Sequence, residues 1–327
     1  MAKKAPTPIE YYNANKRSMK QMFHGLNIIV EELEKYPQLS HASNILTKAV
    51  KTHKGKDTKA KKVLNVLIPQ YIAYYTSLNE IHSYDNSTIE SRAAILDDYY
   101  AFFDKEKIEQ TFDPRSKIRA TILEEFTFLF LKEKVDSIKK ERGGANEKYI
   151  HCGAVKAYSN LYITAKNIEG FVNEPPMPRI NEKDQDYTIY CDMDVIISNE
   201  LGTKSDTKRI HVPILAIENK TYLDKTMLEG AIATAEKLKS GNPYSTYIVV
   251  TETYAVANDV DPAYSRIDQI FVLRKCKHDK NNRRPQPISP DVLGRLVKMV
   301  EARLTDTWAD VENRMQNKGE IINQLGA

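Results

Sequence analysis

Residues Thr188–Ser198 read TIYCDMDVIIS, residues 202–208 read GTKSDTK, and His211–Lys225 read HVPILAIENKTYLDK. Two runs rich in β-branched and aromatic residues, joined by a polar, glycine-containing stretch, predict a β-hairpin. Asp194 lies in the first strand, directly ahead of Val195, Ile196 and Ile197, and Glu218 and Lys220 leave the second strand after Pro213–Ile217. The two-residue period of a strand puts Glu218 and Lys220 on one face and turns Asn219 away. With the turn at GTKSDTK, the pairing brings Asp194 beside them. Asp192 shares a strand face with Asp194 and is the alternative carboxylate.

Two carboxylates converging with one ammonium suit hydrolysis of a phosphodiester. Carboxylates are hard oxygen ligands for Mg²⁺, which keeps several waters and engages a substrate phosphate. Such an ion polarises the phosphorus centre and acidifies a bound water, and a lysine beside it stabilises developing charge.

An aspartate followed about two dozen residues later by E-x-K at the end of an apolar strand resembles the PD-(D/E)XK nuclease superfamily. Within it, the resemblance is to type II restriction endonucleases. Here the motif is Asp194, then Glu218-Asn219-Lys220, with Met193 where the superfamily has proline. The resemblance spans roughly Asp113 to Leu273. It implies a metal held by Asp194, Glu218 and the backbone carbonyl of Asn219, with Lys220 near the attacking water and Mg²⁺ as cofactor. It also implies double-stranded DNA as substrate. A two-strand cut needs two active sites, hence a homodimer or a second nuclease subunit. In many such enzymes a helix ahead of the core supplies another acid. The stretch RSKIRATILEEFTFLFL is similar to that helix and offers Glu125 or Glu124.

Working outward, Ile9, Tyr12, Met19, Phe23, Leu26 and Val30 recur at helical spacing and predict one helix over residues 9–36. Helices are also expected over 63–78, kinked or split at Pro69, and over 88–103. Asp113-Pro114 breaks the pattern, and Ser116 is a candidate N-cap for a long helix. After Gly143-Gly144, strands are expected at 158–164, 187–198, 212–217, 246–251 and 269–273, with a helix over 225–239. That order predicts an α/β fold, a mixed β-sheet of restriction-endonuclease type flanked by helices, behind an N-terminal helical region. The expected division is a helical region over 1–112, for DNA binding or dimerisation, and a nuclease core over 113–327. Closing helices are expected on both sides of Thr305.

Forty-eight basic against 44 acidic residues leave a net charge of only +4, so nucleic-acid binding must rest on local clusters. Residues 48–62, KAVKTHKGKDTKAKK, hold seven lysines and one aspartate. Read as a run between helices, they make Lys51, Lys54, Lys56 and Lys59 candidates for phosphate contact, against a plain solvated loop. Arg274, Lys275 and Lys277 after the last core strand form a second candidate track. No window nears the ~20 apolar residues of a membrane helix. The start, MAKKAPTPIEYYNANKRS, has no apolar run of a signal peptide. Three scattered cysteines, Cys152, Cys191 and Cys276, fit reduced thiols in the cytoplasm. No phosphate-binding glycine loop is present, so no ATP use is expected. Two other readings remain at this level: a repair or mobile-element nuclease of the same fold, and a non-catalytic DNA-binding protein whose E-x-K is a surface ion pair.

Overall fold

The computed structural model describes residues 5–113, 116–173, 177–198 and 205–305, with positions 312, 315 and 316. The chain forms two compact units, Met1–Glu133 with Leu273–Gly294, and Lys134–Val272 with Arg295–Ala327.

The first unit is helical: α1 (Pro8–Ala14), α2 (Lys16–Met22), α3 (Leu26–Lys35), α4 (Ser40–Gly55), α5 (Thr58–Asn79), α6 (Asn86–Lys105) and the first half of α7 (Ala120–Arg142). The single helix expected over 9–36 is three. Its second break falls at Gly25, where φ is +82° and an added Cβ would sit 2.8 Å from Ile72 Cδ1. Only glycine meets both demands cheaply. Pro69, by contrast, does not end α5. The carbonyl it deprives of a donor belongs to Asn65, an exposed residue whose backbone water can serve. The 48–62 lysines are not a loop: they end α4 and begin α5, with Lys56 left-handed at the corner and Asp57 capping α5. α7 starts at Ala120, after Ser116, and its first turns are buried with this unit through Ile122, Leu123 and Phe126. The first unit thus runs into α7 as far as Glu133.

The second unit carries the rest of α7, then α8 (Ala145–Tyr149), β1 (Ile150–Thr164), α9 (Ile168–Asn173), β2 (Met177–Ser198) and β3 (Ser205–Leu223). α10 (Lys225–Gly241), β4 (Thr246–Tyr254), β5 (Gln269–Val272) and the later turns of α11 (Pro290–Thr305) complete it. The sheet runs β1-β2-β3-β4-β5, antiparallel through β3 and parallel beyond. This is the expected mixed sheet. Asp224 caps α10 by accepting from the Met227 amide at 2.8 Å, so the chain turns straight from β3 into the crossover helix. α10 packs Leu228, Ala231, Ala235 and Leu238 against Ala216, Tyr247 and Val249. The small residues let helix and sheet approach closely, and at Gly241 a Cβ would lie 1.9 Å from the Ser159 carbonyl.

β2 and β3 are much longer than their apolar cores. Residues 177–185 of β2 pair with β1 alone, and 192–198 pair with β3 alone. β2 thus belongs to the full sheet only in its middle and runs out as a two-stranded ribbon at each end. Of the two helices expected around Thr305, the first is α11 and the second lies outside the described residues. Among the described residues no helix is long and apolar enough to cross a membrane.

Candidate active site

Glu218 and Lys220 follow directly on the stretch of β3 that lies between β2 and β4. Leu215, Ala216 and Ile217 ahead of them are fully buried and held from both sides, and the pair itself is held by β4. Lys220 Nζ lies 2.6 Å from Glu218 Oε1, with the two side chains 27% and 21% exposed. The period-two expectation for this pair holds. On β4, the Tyr247 hydroxyl donates to Glu218 Oε2. The Tyr247 ring is buried, and burial together with the Glu218 carboxylate drives its pKa far above the usual phenol value. Tyr247 therefore stays a neutral donor that fixes one carboxylate oxygen.

The carboxylate across from this pair is Asp186. Tyr187 is the last β2 residue paired with β3, opposite Ile217, and beyond it β2 departs from β3. The departure frees the Asn219 amide, and Asp186 Oδ2 accepts from it at 2.7 Å. β2 also bulges here against β1, since the partners run Gly153↔Thr188 and then Val155↔Gln185. Gly153 accommodates the irregularity at φ +138°. The same bulge that lets β2 leave aims the Asp186 carboxylate back at β3. Asp186 and Glu218 both act on Tyr247, which places the two carboxylates in one neighbourhood.

Asp194 is not in that neighbourhood. It stands directly across from Arg209, which binds it in a fork, Nε to Oδ1 at 2.9 Å and Nη2 to Oδ2 at 3.0 Å. The hydrogen bonds from Arg209 hold its carboxyl below the usual aspartate range. Eight strand residues separate it from Asp186, about 26 Å along β2. Asp192, the alternative, accepts from His211 Nδ1 at 2.6 Å and stands opposite that residue, seven strand positions before Glu218, about 23 Å along β3. The reason is the turn. β3 begins at Ser205, so half of the GTKSDTK stretch is strand rather than connection, and every cross-strand partner moves with it. The sequence signal for Asp186 was present in QDYTIY, an acid bordering the buried run Tyr187–Ile189.

Glu125 is sealed inside the helical unit, fully buried, with Oε2 accepting from the Ala42 amide at 2.9 Å. Desolvation raises its pKa to about 7. Beside it His41 is bound by Thr121 and Tyr99 and kept neutral by burial, its pKa near 3. A carboxylate so enclosed is a packing element, not an exposed ligand. Glu124 on the same helix is half-buried.

The basic candidates divide. Lys51, Lys54, Lys56 and Lys59 are all exposed at the α4–α5 corner. Lys54 lies over the Tyr11 ring at 4.3 Å. Lys51 borders a polar groove of about 410 Å³ with Ser43, Asn44, Thr47 and Asp113. Arg274 is wholly buried, bound to Asp97 at 2.6 Å and to the Gln286 carbonyl at 2.8 Å, and is unavailable to DNA. A charge in the sequence reads as surface, but here it ties a connecting segment to α6. Lys275 pairs with Asp291 at 2.9 Å in the open, and Lys277 is exposed.

Fold and site together define a restriction-endonuclease core. A solved structure described as the native BbvCI A2B2 tetramer shares this fold at a TM-score of 0.62 and 23% identity, covering 83% of this chain and 96% of that one. The family described as Bpu10I restriction endonuclease matches residues 115–286, more than half of the chain, and the chain belongs to that family. Asp186, Glu218 and Lys220 all fall within the match. No curated protein matches the chain.

Proposed function

We propose that this protein is a type II restriction endonuclease that cuts double-stranded DNA at a specific sequence by Mg²⁺-dependent hydrolysis, with Asp186, Glu218 and Lys220 at the cutting site. The observation that carries the reading is the convergence of Asp186 from β2 on the Glu218–Lys220 pair of β3, with both carboxylates held by neutral donors, the Asn219 amide and the Tyr247 hydroxyl.

The donor set is oxygen only, two carboxylates with the Asn219 carbonyl at hand, and this fits a hard divalent cation. When bound, Mg²⁺ supplies a Lewis acid and an acidified water. Asp186 and Glu218 would hold it, while Asn219 N–H and Tyr247 O–H keep one oxygen of each carboxylate from rotating. Lys220 Nζ presents donors toward the scissile phosphate and stabilises the charge that builds on its oxygens. The half-buried setting strengthens each of these interactions relative to open water. In this reading Asp194 serves the distal hairpin and Glu125 the helical core, and neither touches the ion.

Among the described residues the chain carries one such site, so a two-strand cut calls for a homodimer or a second nuclease subunit. The A2B2 description of the related solved structure supports an assembly of this kind. Phosphate contacts in the helical unit are assigned to Lys51, Lys54, Lys56 and Lys59.

The test is cleavage of a long DNA with Mg²⁺, followed by sequencing of the ends, with Ca²⁺ in parallel. Discrete ends with Mg²⁺, and binding without cutting with Ca²⁺, are expected. Glu218→Ala and Lys220→Ala are expected to abolish cutting while keeping specific binding. Undiminished cutting by both variants would sink the assignment.

A further inference from the structure

The ribbon that β2 forms with β1 begins at Asp186 itself. From Val155↔Gln185 outward the two strands pair only with each other, ending at Thr164↔Met177. Past the irregularity between Tyr158 and Asn160 the ladder is regular, with Asn160 opposite Asn181 and Tyr162 opposite Arg179. Period-two geometry puts these four side chains on one face. All four are exposed, Tyr162 at 48%. Asn181 Nδ2 donates to Asn160 Oδ1 at 2.7 Å, which aligns the two amides across the strands. Arg179 makes no ion pair among the described residues, unlike Arg209, which the far ribbon neutralises with Asp194.

We propose that this ribbon enters a DNA groove beside the cutting site and that Arg179, with the Asn160–Asn181 pair, reads base edges there. The inference rests on the nuclease reading above and adds the element that supplies its specificity.

Three observations favour DNA over a protein partner. A two-stranded antiparallel ribbon is one of the few backbone forms that the major groove admits. The chemistry of the face is donor-rich and carries no acid: an unpaired guanidinium suits the two acceptors of guanine, and a carboxamide suits the donor and acceptor of adenine. The ribbon is continuous with the catalytic carboxylate, so a duplex seated at Asp186 lies within its reach. Asn181 and Arg179 stand five and seven strand residues from Asp186, about 17 and 23 Å. At about 3.4 Å per base pair, that span is roughly five to seven pairs from the scissile phosphate.

The experiment compares the full-length wild type with Arg179→Ala, Arg179→Lys and Asn181→Ala. Each is incubated with a randomised duplex library and Mg²⁺, and the sequenced ends give base preference against distance from the cut. The expected result is a loss of discrimination of about 5- to 150-fold at one or two positions several pairs from the cut. Arg179→Lys should fail to restore it, because an ammonium lacks the guanidinium fork. Full restoration by lysine would make Arg179 a phosphate contact and overturn the base-reading role. Unchanged preference in all three variants overturns the proposal, as does a drop in oligomeric mass with preference intact, which would make the ribbon a protein interface. A wild type that neither cuts nor binds DNA removes the nuclease reading, and this inference with it. An active wild type with indifferent variants removes this inference alone.

Discussion

Asp186 and Asp194 sit on the same strand, eight residues apart, yet occupy opposite circumstances. Asp186 lies where β2 is about to leave a five-stranded sheet, half-buried, next to a buried tyrosine and an ammonium–carboxylate pair. Asp194 lies where only two strands remain, exposed, with an arginine already satisfying both its oxygens. An acid becomes useful for chemistry through the neighbours that the fold sets around it. Arg209 occupies both oxygens of Asp194; at Asp186 the Asn219 amide holds one oxygen toward the Glu218–Lys220 pair.

The sharpest way to break this contrast is to truncate each in turn. Asp186→Ala is expected to slow cutting by at least about a hundredfold, whereas Asp194→Ala leaves the rate within about twofold. Single-turnover cleavage with Mg²⁺ reads both, and equal losses would erase the distinction. Next in size is Tyr247→Phe. Losing the hydrogen bond that fixes Glu218 is expected to slow cutting about tenfold, with little change in DNA affinity measured in Ca²⁺.

A smaller effect concerns the other acid taken from the sequence. Glu125 has its folded pKa raised from 4.5 to about 7 by burial, so the folded state binds the extra proton and stability falls as pH rises from about 4.5 to 7. Above that window the cost is constant at about 2–4 kcal/mol. Glu125→Gln keeps an acceptor for the Ala42 amide and removes the charge. Its stability relative to wild type should therefore rise between about pH 5 and pH 8 in urea titrations. His41 titrates in both proteins and cancels from the difference. A pH-independent difference would contradict the raised pKa. The smallest expected effect is at the α4–α5 corner: replacing Lys51, Lys54 and Lys59 by alanine should flatten the salt dependence of DNA binding by about 0.9 in slope per lost contact, without changing the site that is cut.

Much of this was legible in the residues. The mixed sheet follows from the alternation of β-branched runs with the α10 periodicity, and the Glu218–Lys220 face follows from strand period alone. Their first partner did not follow, because a hairpin's register depends on where its turn sits. Polar residues such as Ser205, Asp206 and Thr207 look like turn but pair as strand. An apolar neighbourhood was also a poor guide: Ile196 beside Asp194 is 70% exposed, on the ribbon where β2 pairs with β3 alone. The burial of Arg274 and Glu125 was not legible for the converse reason, since local sequence does not reveal which charges a distant helix encloses. Tyr247 gave no signal of its own, because its role comes from lying one strand away from Glu218.

The anchoring of Asp186 has a practical corollary. Its position is set from the core side, by the Tyr187↔Ile217 rung and the Asn219 amide, and owes nothing to the length of chain between Ser198 and Ser205. A change made beyond Ser198 and before Ser205 is therefore expected to leave the Asp186–Glu218 geometry as it is. A peptide tag spliced there would give a handle on the protein that is separated from Asp186 by twelve rungs of ladder.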